Sequence, residues 1–185
     1  MALTESNPIE IGFKAPDFTL QDSVSKEVFE LYKDLRGEKG TVIMFICNHC
    51  PYVVHMIEEL VRIANDYRVT GFSFVAISSN DILKYPQDSP QKMYEFAREY
   101  DFPFPYLYDE TQLIAKAYQA MCTPDIYVFD RDLKLNYHGQ IDDSRPQNNI
   151  PISGTSLRQA LDFILSNKSP IKTQKPAMGC GIKWK

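Results

Sequence analysis

Several things are scarce in this sequence, and each scarcity excludes a class of function. No stretch approaches the roughly 20 apolar residues that a membrane-crossing helix needs, so no membrane partner is expected. Basic residues form no cluster. The 20 Lys and Arg are outnumbered by 24 Asp and Glu, leaving a net charge of -4. That balance argues against a nucleic-acid partner, which wants a Lys/Arg-rich surface. The terminal Lys183-Trp184-Lys185 is too short to supply one. The opening residues Met1-Ala2-Leu3-Thr4-Glu5-Ser6 lack a basic segment followed by an apolar run. A cytoplasmic chain is therefore expected. There is no internal repeat and no low-complexity segment.

What is present suits one globular unit. Hydrophobic residues make up 44% of the 185, enough for a core of ordinary size and too many for a disordered chain. The expected organisation is a single domain over 1–185, with a loose lead-in over 1–10 and an extended tail over 167–185. The tail expectation rests on the prolines and glycines after Asn167.

Hydrophobic periodicity supplies the elements between. Phe18-Thr19-Leu20 and Val28 to Leu31 read as a hairpin. Thr41 to Ile46 is a short apolar run rich in β-branched residues, the pattern of a strand buried on both faces. From Tyr52 to Tyr67 apolar residues recur at spacings of three and four, one face of a helix. A strand is expected over 72–77, a helix from Ser89-Pro90 to about 100, a strand over 106–108, and a helix capped by Asp109. Two strands, 125–129 and 133–138, flank the turn Asp130-Arg131-Asp132. A loop follows over 142–153, then a helix over 155–166. Strands alternating with helices imply an α/β fold, a central mixed sheet flanked by helices.

The four cysteines are Cys47, Cys50, Cys122 and Cys180. Cys47 and Cys50 enclose Asn48-His49 between the strand 41–46 and a helix expected to begin near Asn48, which would set Cys47 at the helix amino terminus. Thiol chemistry profits from that place. Unpaired N–H groups and the helix dipole favour a thiolate there, and the thiolate is the nucleophile. Pro51 falls where a missing N–H costs little. A cationic or donating His49, with Asn48 beside it, would stabilise the thiolate further. Zinc is the main rival for a Cys-x-x-Cys pair. It would want two more Cys or His ligands, and Cys122 and Cys180 are isolated in the sequence, so no metal is expected. Cys122 reads as a packed core thiol. Cys180 reads as a third redox thiol, exchanging with Cys47 or Cys50 or pairing with Cys122, or else as an idle one. Arg145 would offer charge to a thiolate or stand solvated in its loop. His55 reads as structural, and His138 shows no partner.

At this point the chain resembles a known family. Gly12-Phe13-Lys14-Ala15-Pro16-Asp17-Phe18-Thr19-Leu20 resembles the opening of redoxin domains, the AhpC/TSA superfamily and the TlpA/ResA-like thioredoxins. Phe45 to Val53, with Cys47-Asn48-His49-Cys50-Pro51 at its centre, resembles a branch of peroxiredoxin-like thioredoxin proteins. Cys122-Thr123-Pro124-Asp125 and Gly179-Cys180-Gly181-Ile182-Lys183-Trp184 resemble that branch too. The resemblance implies a thioredoxin fold with an N-terminal β-hairpin extension, to which the C-terminal tail read from composition is added. It also implies a nucleophilic Cys47, a resolving Cys50, and Thr123-Pro124 as a cis-proline segment that receives an extended substrate peptide.

The implied activity is thiol–disulfide exchange without a bound cofactor. The partners would be a disulfide-bearing protein or small molecule, and an external dithiol donor such as a thioredoxin-like reductant. Two alternatives stand beside it: a thiol peroxidase acting through Cys47, and a noncatalytic peptide-binding module on the same fold. Met44-Phe45-Ile46 replaces the peroxiredoxin pattern of Pro and then Thr or Ser before the cysteine, which points away from efficient peroxide reduction. Ile46 and Asn48-His49 also depart from the thioredoxin sequence Trp-Cys-Gly-Pro-Cys.

Overall fold

The computed structural model describes residues 3–185; Met1 and Ala2 of the expected lead-in lie outside them. In chain order the strands are β1 (Leu3–Glu5), β2 (Thr19–Asp22), β3 (Val28–Glu30), β4 (Gly40–Phe45), β5 (Phe72–Ser78), β6 (Tyr106–Tyr108), β7 (Cys122–Thr123), β8 (Asp125–Asp130), β9 (Leu135–Gly139) and β10 (Met178–Gly181). The helices are α1 (Pro51–Arg68), α2 (Pro90–Glu99), α3 (Leu113–Ala117) and α4 (Thr155–Leu165). A π-helical turn, Leu31–Leu35, follows β3.

β4 organises the main sheet. Every one of its residues is buried. Its side chains alternate between two cores: Val42 and Met44, followed by Ile46, enter one, while Ile43 and Phe45 enter the other. A strand covered on both faces needs this continuous apolar run. β4 pairs parallel with β5 and antiparallel with β8. The sheet order is β3-β2-β6-β5-β4-β8-β9, so it is mixed, as expected. Helices α1, α2 and α4 cover the first core, and α3 with the π-helical turn covers the second. Of the apolar stripe of α1, Val53, Met56, Ile57, Leu60 and Ala64 are buried, as periodicity predicts, and Val61 is half-buried against the same core. Burying each such large side chain stabilises the helix on the sheet by about 1.5–3 kcal/mol.

Both chain ends differ from expectation. Leu3–Glu5 of the expected lead-in is a strand, and so is Met178–Gly181 of the expected tail. Together with β7 they form a second, antiparallel sheet in the order β1-β10-β7. Its register sets Leu3 opposite Cys180 and Cys180 opposite Thr123. Glycine makes the approach possible: a Cβ on Gly179 would run into the Thr123 carbonyl. The glycines that suggested a loose tail are thus what lets the strand dock.

Three local expectations also change. Asp109 caps α3 from further upstream than expected: the N-cap position is Gln112, and the buried Asp109 carboxylate accepts the first-turn Ala115 N–H at 3.0 Å as well as the Ser79 hydroxyl at 2.9 Å. The turn between β8 and β9 runs longer than expected because Asp130 Oδ1 takes the N–H groups of both Asp132 and Lys134. His138 does have a partner: its Nε2 lies 2.7 Å from Asp125 Oδ1, both buried, and its ring stacks on Tyr127.

Candidate active site

Cys47 to Cys50 form the connection from the C-terminal end of β4 to α1. The helix begins later than the sequence suggests, at Pro51, with Cys50 as its N-cap. The N–H groups of Val53 and Val54 close on the Cys50 carbonyl at 2.9 and 3.0 Å. The helix start therefore falls on the second cysteine rather than the first.

Asp88, fully buried in the segment after β5, anchors the loop between the cysteines. Its Oδ1 accepts the Asn48 N–H at 2.9 Å and its Oδ2 the Asn80 side-chain N–H at 2.8 Å. His49 Nδ1 lies 2.7 Å from Asp88 Oδ2, without the alignment of a hydrogen bond. The His49 ring stacks on Tyr85. The Asn48 side chain donates to the Gln87 carbonyl at 2.9 Å and accepts from the Tyr106 hydroxyl at 3.0 Å. Sequence reasoning missed Asp88. The available signal was an acidic residue in the loop following a parallel strand adjacent to β4, since sites in such sheets gather at the carboxyl ends of the strands.

The sulfurs meet the second sheet. Cys47 Sγ lies 3.2 Å from Thr123 Oγ1. Cys50 Sγ lies 3.1 Å from the Thr123 carbonyl oxygen and 2.8 Å from Cys180 Sγ. The Thr123–Pro124 peptide bond is cis. All four cysteines are free thiols and all are buried. Cys122 does not join the group; its thiol turns to the Pro124 carbonyl at 3.6 Å, and burial holds its pKa well up.

These contacts polarise the thiols. A hydrogen bond from Cys47 lowers the pKa of Cys50 to about 5, against the opposing effect of burial and with help from the Cys180 thiol and the Val53 and Cys180 N–H groups. The Thr123 carbonyl accepts the Cys50 proton's hydrogen bond when that thiol is protonated. Cys47 moves up instead, first because it donates to Cys50, then through burial and the negative charge of Asp88. The Thr123 hydroxyl opposes that rise. These contacts favour ionisation of Cys50, at the helix N-cap, over that of Cys47.

The remaining sequence candidates fall outside this cluster or at its edge. Arg145 spends its guanidinium on its own loop, on the carbonyls of Asp142 and Ser144 at 2.7 Å each and on Gln140 Oε1 at 2.6 Å. His55 Nε2 lies 2.8 Å from the Ser144 hydroxyl. Cys47, His49 and Asp88 bring a sulfur, a ring nitrogen and a carboxylate oxygen within 4.8 Å of one another, the nearest approach to a metal-ligand set among the described residues.

A mixed sheet flanked by helices, with paired cysteines at the β4–α1 junction facing a cis-proline, defines a thioredoxin-like fold. The chain belongs to the AhpC/TSA family, whose profile matches residues 11–138. The thiol-disulfide oxidoreductase ResA of Bacillus thuringiensis subsp. konkukian is 29% identical over 135 residues, covering 71% of this chain and 70% of that protein. The crystal structure of an uncharacterized conserved protein from Geobacillus kaustophilus superposes with a TM-score of 0.98 at 56% identity, covering 100% of this chain and 97% of that one. A secreted disulfide oxidoreductase from Mycobacterium tuberculosis shares the fold, with a TM-score of 0.59 at 18% identity over 78% of this chain and 94% of its own. The relatives support an oxidoreductase role for this chain.

Proposed function

We propose that the protein is a thiol–disulfide oxidoreductase whose redox pair is Cys47 and Cys50. The observation that carries this reading is the placement of Cys47 Sγ 3.2 Å from Thr123 Oγ1, with Cys50 at the N-cap of α1. A substrate peptide laid along Thr123-Pro124 would bring its disulfide to Cys47. Cys50 is engaged by the Thr123 carbonyl and Cys180, and this reading assigns the attack on substrate to Cys47. Cys47 is itself 1% exposed, so a substrate must displace the side chains above it.

The cycle starts with the charge on Cys50. Cys47 passes its proton to the Cys50 thiolate and attacks one sulfur of the substrate disulfide. A mixed disulfide forms at Cys47, and the other substrate sulfur leaves as a thiolate. That thiolate takes up a proton, Cys50 is again ionised, and its sulfur attacks Cys47 Sγ. The second substrate thiolate leaves, and Cys47–Cys50 is left oxidised. An external dithiol donor reduces it. His49, when protonated, offsets the Asp88 charge that holds Cys47 up, and Asn48 fixes the loop that carries it.

Reduction of insulin disulfides, run beside stopped-flow oxidation of the reduced protein by hydrogen peroxide, tests this reading. Insulin turnover that is lost in Cys47→Ser supports it. Fast peroxide consumption lost in Cys47→Ser, without disulfide turnover, would replace it with peroxide reduction through a Cys47 sulfenic acid.

A further inference from the structure

The pair just described leaves one adjacent thiol unused. Cys180 lies in β10, 130 residues from Cys50 in sequence, yet its Sγ is 2.8 Å from Cys50 Sγ. A disulfide bond is about 2.05 Å long, so bonding these sulfurs needs a shift of less than about 1 Å. Cys180 does not reach this position by chance contact of a loose end. Its strand is held on both sides, by Leu3 of β1 and by Thr123 of β7. Gly179 permits the close approach to the Thr123 carbonyl. Cys122, the other candidate partner from the sequence, points to the Pro124 carbonyl instead.

We propose that Cys180 is a third redox thiol that exchanges with the oxidised pair by attacking Cys50, so that the disulfide moves from Cys47–Cys50 to Cys50–Cys180. The proposal rests on the thiol–disulfide reading of Cys47 and Cys50. The step is balanced within the chain. The Cys180 thiol loses its proton and its sulfur bonds to Cys50 Sγ. The Cys47–Cys50 bond breaks, and Cys47 leaves with the electron pair and takes up the proton. No external oxidant or reductant enters, and attack by Cys47 on the new bond reverses it.

Electrostatics changes in the direction this step requires. In the reduced protein Cys180 is held up to about 12, first by burial and then by its hydrogen bond to Cys50 and the Cys50 charge, while Lys183 pulls it down. Once Cys50 is in a disulfide its charge is gone. Burial then remains against Lys183, and the Cys180 thiol is easier to ionise than before. The outcome is a stored oxidised state with Cys47 returned as a free thiol, and a covalent tie between β10 and the start of α1.

Disulfide mapping tests this. Reduced wild-type protein is oxidised with diamide, quenched in acid, alkylated and digested, and the bridged peptides are identified by mass spectrometry. The expected result is a Cys50–Cys180 peptide alongside Cys47–Cys50. In Cys47→Ser, diamide should consume the Cys50 and Cys180 thiols together and leave Cys122 free. Cys47–Cys50 as the sole bridge in wild type overturns the proposal, even where Cys47→Ser closes the other bridge. Cys47→Ser with all its thiols intact, or bridged only between molecules, overturns it too. The wild-type map decides if Cys47→Ser fails to fold. Failure of insulin reduction strikes the exchange function, whereas a missing Cys50–Cys180 bridge strikes the relay alone.

Discussion

The buried Asp88 carboxylate holds the backbone N–H of Asn48 at 2.9 Å, and so fixes the loop between two cysteines from a strand-end segment 40 residues away. The same carboxylate opposes ionisation of Cys47.

Replacing its charge while keeping an acceptor separates these two effects. Asp88→Asn retains an oxygen for the Asn48 N–H but removes the negative charge near Cys47. Ionisation of Cys47 should move to lower pH, and its alkylation by iodoacetamide at neutral pH should accelerate. The thiolate absorbance of the reduced protein, followed against pH, measures the shift. An unchanged or higher Cys47 midpoint would show that the carboxylate is purely structural.

Stability of the reduced protein should depend on pH through Cys50. Its pKa in the folded state is lowered to about 5, whereas an unfolded cysteine titrates near about 8.5. Between those values the unfolded chain binds the extra proton, so stability rises with pH across that window. The contribution is complete above the unfolded value and is lost as pH falls through the folded one. Cys47, shifted the other way, acts only above the window. Thermal melts of reduced wild type and Cys50→Ser over this range should therefore show a steeper rise in the wild type. Parallel curves would contradict the assignment of the charge to Cys50.

Thr123 contributes its hydroxyl to Cys47 at 3.2 Å and lowers the pKa of that thiol. Thr123→Val keeps the shape and removes the hydrogen bond. A net hydrogen bond is worth about 1 kcal/mol, so the reaction of reduced protein with a small aromatic disulfide should slow by roughly three- to tenfold. A rate equal to that of wild type would remove Thr123 from the account of Cys47.

The sequence was most legible where one period dominates. The buried run of β4 and the stripe of α1 each have a single reading. So does the position of Cys47 and Cys50 between them. Less legible was whatever depends on long-range contact. Asp88 carries no local pattern, and its role appears only when the segment after β5 folds beneath Asn48. Gly179-Cys180-Gly181 has the composition of a loose end, yet it forms a strand because β1 and β7 offer it two partners. His138 gains Asp125 only through the antiparallel pairing of β8 with β9. The N-cap was misplaced by a few residues, and that displacement moves the helix start from Cys47 to Cys50.

The central claim is that Cys47 attacks substrate and Cys50 resolves. Its most direct test is trapping with Cys50→Ser, reduced and mixed with a disulfide-bearing peptide, then quenched in acid and mapped by mass spectrometry. The account predicts a persistent mixed disulfide between the peptide and Cys47, which wild type clears by forming an internal bridge. A peptide attached to Cys180 or Cys122 instead, or no adduct while wild type still reduces the peptide, would contradict it.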